Sequence, residues 1–248
     1  MIKILAIGNS FSQDAARYFK AVADSAGEDL LVVNLYIGGC SLMQHVAHIA
    51  CKDQGYVYER NGEITERYIS LQEAIAEEKW DIVTIQQVSG HSGLPGTYEP
   101  YMGTLVDFIR TNAPQARIWF HMTWAYELDS THSGFAAYEN SQQVMFEKIV
   151  ETTTSFAEKY SLPLIPSGKA IQAVRKLPAF DYANGGLSLC RDGFHMSYDY
   201  GRYALACVWA EVLLGANVLN ADFAPEGTDP VLLAQIRQTV HDVCQAER

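Results

Sequence analysis

Short apolar runs alternate with segments of helical periodicity along the chain. Ile2–Ile7 and Leu30–Ile37 are continuous apolar stretches that stop at Gly8 and at Gly38-Gly39, the signature of buried strands. Trp80–Ile85, Ala116–Met122 and Leu162–Ile165 repeat the pattern. Between them, Asp14–Ala26, Tyr68–Lys79, Tyr101–Asn112 and a long stretch near 136–160 carry apolar residues at helical spacing. Strands alternating with helices predict βαβ units around a parallel sheet. From Gly168 onward the pattern is helical, with breaks around Pro178–Asp192 and Asn220–Pro230.

Two segments interrupt this rhythm. Tyr56–Arg67 alternates around Asn61-Gly62, which predicts a small β-hairpin excursion. Val88–Pro100, with three glycines and two prolines, is a loop. In an open α/β sheet the ligand crevice lies at the carboxyl ends of the strands. The segments 8–12, 38–41, 86–100 and 123–127 all fall there, so the site is expected among them.

Composition narrows the function classes. With 248 residues, 48% hydrophobic and 19% charged, the chain suits one large globular domain. A net charge of −11 disfavours nucleic acid, whose binders carry basic patches. No apolar run approaches the roughly 18 residues that span a bilayer. The five cysteines (Cys40, Cys51, Cys190, Cys207, Cys244) are scattered, with no Cys-x-x-Cys pair, and read as free thiols. Free thiols suit a reducing compartment, and Met1 runs straight into the first strand, so the cytoplasm is the expected location.

Two short blocks can carry chemistry. Gly8-Asn9-Ser10-Phe11-Ser12 follows the first strand and opens a helix. A serine there has backbone N–H groups close by that can hold an oxyanion; equally, Ser10 or Ser12 can be a plain helix cap. Asp192-Gly193-Phe194-His195 supplies a base with a carboxylate three residues before it, the pairing that a nucleophilic serine needs. Its plain reading is a surface turn. Gly90-His91-Ser92-Gly93 imitates part of a nucleophile elbow, but Leu94 stands where the last glycine belongs. His45 and His48 lie three apart without a third ligand at metal spacing, so no metal site is expected.

Together, Gly8-Asn9-Ser10 and Asp192–His195 resemble the first and last blocks of the SGNH (GDSL-like) hydrolases, in order and in position. Gly39, in the Gly38-Gly39-Cys40-Ser41 stretch, aligns with the glycine of that family's second block. The third block departs from the pattern: Ile85-Gln86-Gln87-Val88 stands where the family has Gly-x-Asn-Asp. A glutamine amide offers the same donor on a longer arm, so Gln86, with Gln87 next in line, is the expected substitute.

The resemblance implies a single domain over residues 1–248 with the three-layer α/β/α, flavodoxin-like fold, its five parallel strands ordered 2-1-3-4-5. It implies Ser10 as nucleophile, His195 as base and Asp192 as its orienting carboxylate. The oxyanion would be held by Ser10, Gly39 and Gln86, with no metal or cofactor. Trp124 and Tyr126 are expected as platforms for a sugar ring, with His45 and His91 near the pocket. The expected partner is a small-molecule or glycan ester, favouring short O-acetyl groups. The alternatives are a catalytically silent carbohydrate-binding protein on the same fold, or a lipase- or thioesterase-type relative. Oligomeric state leaves no trace in the sequence.

Overall fold

The computed structural model describes residues 1–247. Strands β1 (Ile2–Gly8), β2 (Leu30–Tyr36), β3 (Tyr56–Arg60), β4 (Glu63–Ile69), β5 (Ile82–Ile85), β6 (Arg117–His121) and β7 (Leu164–Ile165) form one sheet. Helices α1 (Ser10–Ala16), α2 (Phe19–Ser25), α3 (Leu42–Cys51), α4 (Leu71–Glu77), α5 (Tyr101–Asn112), α6 (Gln142–Tyr160), α7 (Ser167–Val174), α8 (Tyr200–Trp209) and α9 (Pro230–Ala246) flank it.

The sheet is mixed and seven-stranded, ordered β4-β3-β2-β1-β5-β6-β7. The pairs β2-β1, β1-β5, β5-β6 and β6-β7 are parallel; β3 joins β2 antiparallel and β4 joins β3. The expected five-stranded parallel sheet is therefore extended, because the 56–69 segment joins the sheet instead of standing out as an excursion. Asn61 and Gly62 take φ of 52° and 80°, the left-handed pair that a two-residue hairpin turn demands. The turn also docks on α1: a Cβ at Gly62 would lie 2.4 Å from the Arg17 carbonyl oxygen. The outer strand β4 is largely exposed and carries Glu63, Glu66 and Arg67, charges that discourage pairing with another chain.

Period-two alternation in β1 feeds two cores. Ile4 and Ala6 pack with Phe11, Phe19, Ile171 and Trp209 on one face. Leu5 and Ile7 pack with Leu42, Leu71, Leu105 and Val106 on the other. β1 thus lies covered on both sides, which explains its unbroken apolar sequence. The helix expected over 14–26 divides into α1 and α2, and the long one begins at Gln142, after a 3-10 segment over Ser133–Tyr138. All of the parallel strands point their carboxyl ends at one rim, where Gly8, Tyr36, Ile85 and His121 end β1, β2, β5 and β6. Among the described residues, no helix is long and apolar enough to cross a membrane.

Candidate active site

The turn from β1 into α1 settles the capping question. Asn9 is the N-cap: its side-chain oxygen accepts from Phe11 N–H at 2.9 Å, and Ser12 Oγ accepts from Asn9 N–H at 3.1 Å. Ser12 also donates to Asn34 Oδ1 at 2.7 Å and is buried. With both capping roles filled by neighbours, Ser10 occupies the first helical position with its hydroxyl unspent on the cap. Gly8 is required here, since a Cβ would fall 2.2 Å from Ser12 Oγ.

That hydroxyl meets the last block. Ser10 Oγ lies 2.8 Å from His195 Nε2, and His195 Nδ1 lies 2.7 Å from Asp192 Oδ2. A carboxylate only accepts, so Nδ1 carries the proton and Nε2 accepts from Ser10. Asp192 Oδ1 in turn accepts from the backbone N–H of His195 at 2.8 Å and of Phe194 at 3.3 Å, which folds Asp-x-x-His into one tight turn. Burial pushes the Asp192 carboxyl up, but the hydrogen bonds from His195 outweigh it and hold the group below the usual carboxylate range. The turn is braced from outside: Trp124 Nε1 donates to Phe194 C=O at 2.8 Å, and Glu127 N–H to Gly193 C=O at 2.7 Å. Gly193, at φ 85°, packs against Ser130, where a Cβ would sit 2.9 Å from the Ser130 Cα. A hydroxyl hydrogen-bonded to an imidazole that is oriented by a carboxylate can lose its proton as it attacks a carbonyl carbon.

A cavity of about 260 Å³ opens beside Ser10. Gly39 borders it, in a turn closed by Cys40 N–H to Ile37 C=O at 3.2 Å, and its φ of 64° is the left-handed conformation that favours glycine. The Gln86 side chain is not at this cavity. It is 1% exposed, donates from Nε2 to Asn9 Oδ1 at 2.7 Å and accepts from His121 Nδ1 at 2.9 Å. Asn9 passes the chain on, donating to Cys40 C=O at 3.0 Å. The expected third oxyanion donor is thus committed one layer below the site, where it ties β5 to the β1 turn and, through Asn9, to the Gly39 turn. The longer glutamine arm is long enough to reach Asn9. Gln87 is equally committed, accepting from Leu42 N–H at 3.0 Å and donating to Thr97 C=O at 3.1 Å.

The expected substrate contacts also fall elsewhere. Trp124 is fully buried, stacked on Phe11 at 4.1 Å between centroids, and supports the wall without reaching the cavity. Tyr126 is fully buried behind that wall, its hydroxyl 2.8 Å from Ser89 Oγ. His45 lies in the core with Nδ1 2.8 Å from Tyr56 OH, and burial, aided by His48, pushes its pKa down to about 3. His91 is exposed on a 3-10 turn and does not border the cavity. Beyond Ser10, His195 and the 9–11 and 38–39 turns, its walls are Tyr36, Val88, Ser89, His132 and Phe194. Phe194 lies inside the Asp-x-x-His block and Tyr36 two residues before Gly38, so both were within reach of motif reasoning; His132, in an irregular loop, had no signal. His132 Nδ1 accepts from Gly134 N–H at 3.0 Å, and burial, then the proximity of His195, lowers its pKa.

The rival serine is occupied: Ser92 is buried, accepts from Thr123 Oγ1 at 2.7 Å and is hydrogen-bonded to no histidine. His48 pairs with Asp53 at 2.7 Å, and the described residues hold no cluster of three or more His, Cys, Asp or Glu fit for a metal. A larger cavity of about 550 Å³, bounded by Trp119, Leu162 and Cys244, shares no lining residue with the one at Ser10.

Residues 3–242 match the family model described as a domain of unknown function, DUF4886. A DUF4886 family protein from Bacteroides uniformis ATCC 8492 is 35% identical and superposes with a TM-score of 0.92, over 100% of this chain and 96% of that one. At greater distance, a protein assigned to the SGNH hydrolases from Slackia heliotrinireducens is 22% identical, with a TM-score of 0.57 over 86% of this chain and 98% of its own. The acetyl xylan esterase AlAXEase is 14% identical, with a TM-score of 0.56 over 85% of this chain and 100% of its own. No curated protein matches the sequence. The chain therefore belongs to the DUF4886 family, on a fold shared with SGNH hydrolases and esterases.

Proposed function

We propose that this chain is a serine esterase that cleaves short-chain esters, favouring O-acetyl groups on a carbohydrate. The observation that carries the reading is the hydrogen-bonded line Ser10–His195–Asp192, with distances of 2.8 and 2.7 Å, opening on a cavity. Ser10 Oγ attacks the ester carbonyl carbon while His195 Nε2 takes its proton. Asp192, ionised and hydrogen-bonded to Nδ1, stabilises the imidazolium. The negative charge that gathers on the carbonyl oxygen is received by the backbone N–H groups of Ser10 and Gly39. Collapse breaks the bond to the alcohol oxygen, which takes the proton from His195, and leaves an acyl group on Ser10. Water, deprotonated by His195, then releases the acid and restores the serine.

The size of the cavity and its walls support a small acyl group: about 260 Å³ is just below the roughly 300–1,000 Å³ found for ligand sites. The fold likeness to an acetyl xylan esterase favours a sugar as the alcohol. Within the wall, the hydroxyl of Tyr36 and the imidazole of His132 are polar groups suited to sugar hydroxyls.

The test is hydrolysis of p-nitrophenyl acetate and of acetylated xylo-oligosaccharides, with fluorophosphonate labelling in parallel. Labelling at Ser10, and turnover of acetyl but not of long-chain esters, is the expected result. A wild-type protein that takes no label while binding sugars would be the silent binding protein, and a preference for acyl chains longer than about eight carbons would rule out the acetyl reading, since each further CH₂ needs apolar surface to cover it.

A further inference from the structure

Asp14 is fully buried on α1, four residues and hence one turn beyond Ser10 on the same face. A buried carboxylate is tolerated only when it is paired and hydrogen-bonded. Its partners come from the far side of the site. Arg191 Nη1 lies 3.0 and 3.1 Å from the two carboxylate oxygens, Arg202 Nε donates at 2.8 Å, and the backbone N–H of Met196 donates at 2.9 Å.

Arg191 and Met196 flank the Asp192–His195 turn on both sides. Cys190 and Met196 form an antiparallel bridge, Arg191 N–H donates to His195 C=O at 2.9 Å, and the Arg191 guanidinium also donates to Met196 C=O. One carboxylate on the serine's helix therefore grips the base's turn at both of its ends. The arginines are held in turn: their guanidiniums lie 4.8 and 4.7 Å from the ring centroid of Tyr198.

We propose that Asp14 is a positioning residue that sets the Ser10 Oγ–His195 Nε2 distance by joining α1 to the Arg191–Met196 segment. The inference rests on the esterase reading of Ser10 and His195. Buried ion pairs contribute little net stability against apolar replacements, but they can fix one geometry. Geometry is what this one controls, because it crosses between the two segments whose side chains must meet.

The decisive variant is Asp14→Asn, which keeps the shape and an acceptor for Met196 N–H but removes the charge that binds two guanidiniums. On p-nitrophenyl acetate its kcat is expected to fall by about 10²-fold, the effect of misplacing a reacting group by about 1 Å. KM should stay within about twofold, because the substrate's contacts are untouched. Fluorophosphonate labelling of Ser10 should slow in parallel, and Asp14→Glu, which restores the charge on a longer arm, should recover part of the loss. A folded Asp14→Asn protein with wild-type kcat, or a loss carried by KM alone, would overturn the proposal. If Asp14→Asn does not fold, Arg191→Lys decides on the same readouts, an unchanged kcat being the overturning result. Ser10→Ala separates the two readings: if it retains full turnover, the esterase assignment fails and the positioning role falls with it. If Ser10→Ala is inactive and Asp14→Asn is not impaired, only the positioning role fails.

Discussion

The two sides of Ser10 are built in opposite ways. On the acid–base side, Asp192 and His195 stand three residues apart in one turn, and every hydrogen bond between them is local. On the proposed oxyanion side, the turns after β1, β2 and β5 converge from positions 9, 39–40 and 86, joined by the chain from His121 through Gln86 and Asn9 to Cys40 C=O. Within the Asp192–His195 turn a short segment in the right conformation suffices, and long-range bonds from Trp124, Glu127 and Asp14 serve only to place that turn. The distributed side needs the whole sheet in register before its groups meet. Substitutions on the first should therefore strike chemistry with the fold intact, whereas those on the second should strike folding and chemistry together.

The largest effect belongs to the groups proposed to react. Ser10→Ala and His195→Ala should each lower kcat by roughly 10⁶-fold, the scale for residues that act as a unit, and the double variant should be little worse than either. Circular dichroism and Tm should stay near wild type, because Ser10 caps nothing. Additive losses in the double variant would mean that the two residues do not act together. Asp192→Asn should fall by about 10⁴-fold, because an amide no longer selects the tautomer with the proton on Nδ1.

Gln86→Ala is the sharper comparison. Were Gln86 a direct oxyanion donor, its loss would lower kcat by about 10²–10³-fold with little change in stability. Its observed partners lead us to expect a smaller kinetic loss and a stability cost of about 1–3 kcal/mol, because His121 Nδ1–H is left buried without an acceptor. At about 2–4 °C per kcal/mol for a chain of this length, thermal unfolding would register it clearly. A variant with wild-type Tm and a kcat lowered by 10³-fold would restore the direct role.

The same contrast decides what could be read from the sequence. The parallel strands were legible because β1 and β2 are covered on both faces and so are unbroken apolar runs. Asn61-Gly62 announced the hairpin turn, but nothing local says that Tyr56–Ile69 joins the edge of β2, since pairing between strands is set by distant partners. The Asp192–His195 pairing is legible because a three-residue spacing carries its geometry with it, whereas the 2.8 Å approach of Ser10 to His195 rests on the fold. The destination of the Gln86 amide is not legible locally, because it depends on Asn9 and His121, 77 and 35 residues away. The place of Trp124 and Tyr126 after β6 at the site rim suggests platforms, yet their rings are buried against Phe11 and Ser89. Nothing near Asp14 in the sequence points to its partners, because its two arginines lie about 180 positions along the chain.

The last effect concerns pH. His121, which holds Gln86, and His45 are fully buried and neutral, with pKa values lowered by burial from 6.5 to about 3. In the unfolded chain both titrate near the ordinary value, so on acidification the unfolded state takes up protons that the folded state refuses. Their contribution to stability is therefore complete above pH 6.5 and is lost as pH falls towards 3. Below pH 6 each group should subtract on the order of 1 kcal/mol per pH unit. Between pH 6 and 5, above the titration of ordinary carboxylates, the pair should lower Tm by about 5–10 °C. Either His121→Gln or His45→Gln removes one titrating group and should cut that slope by about half. If acid lowers Tm equally in the wild type and in both variants, the buried imidazoles are not its cause.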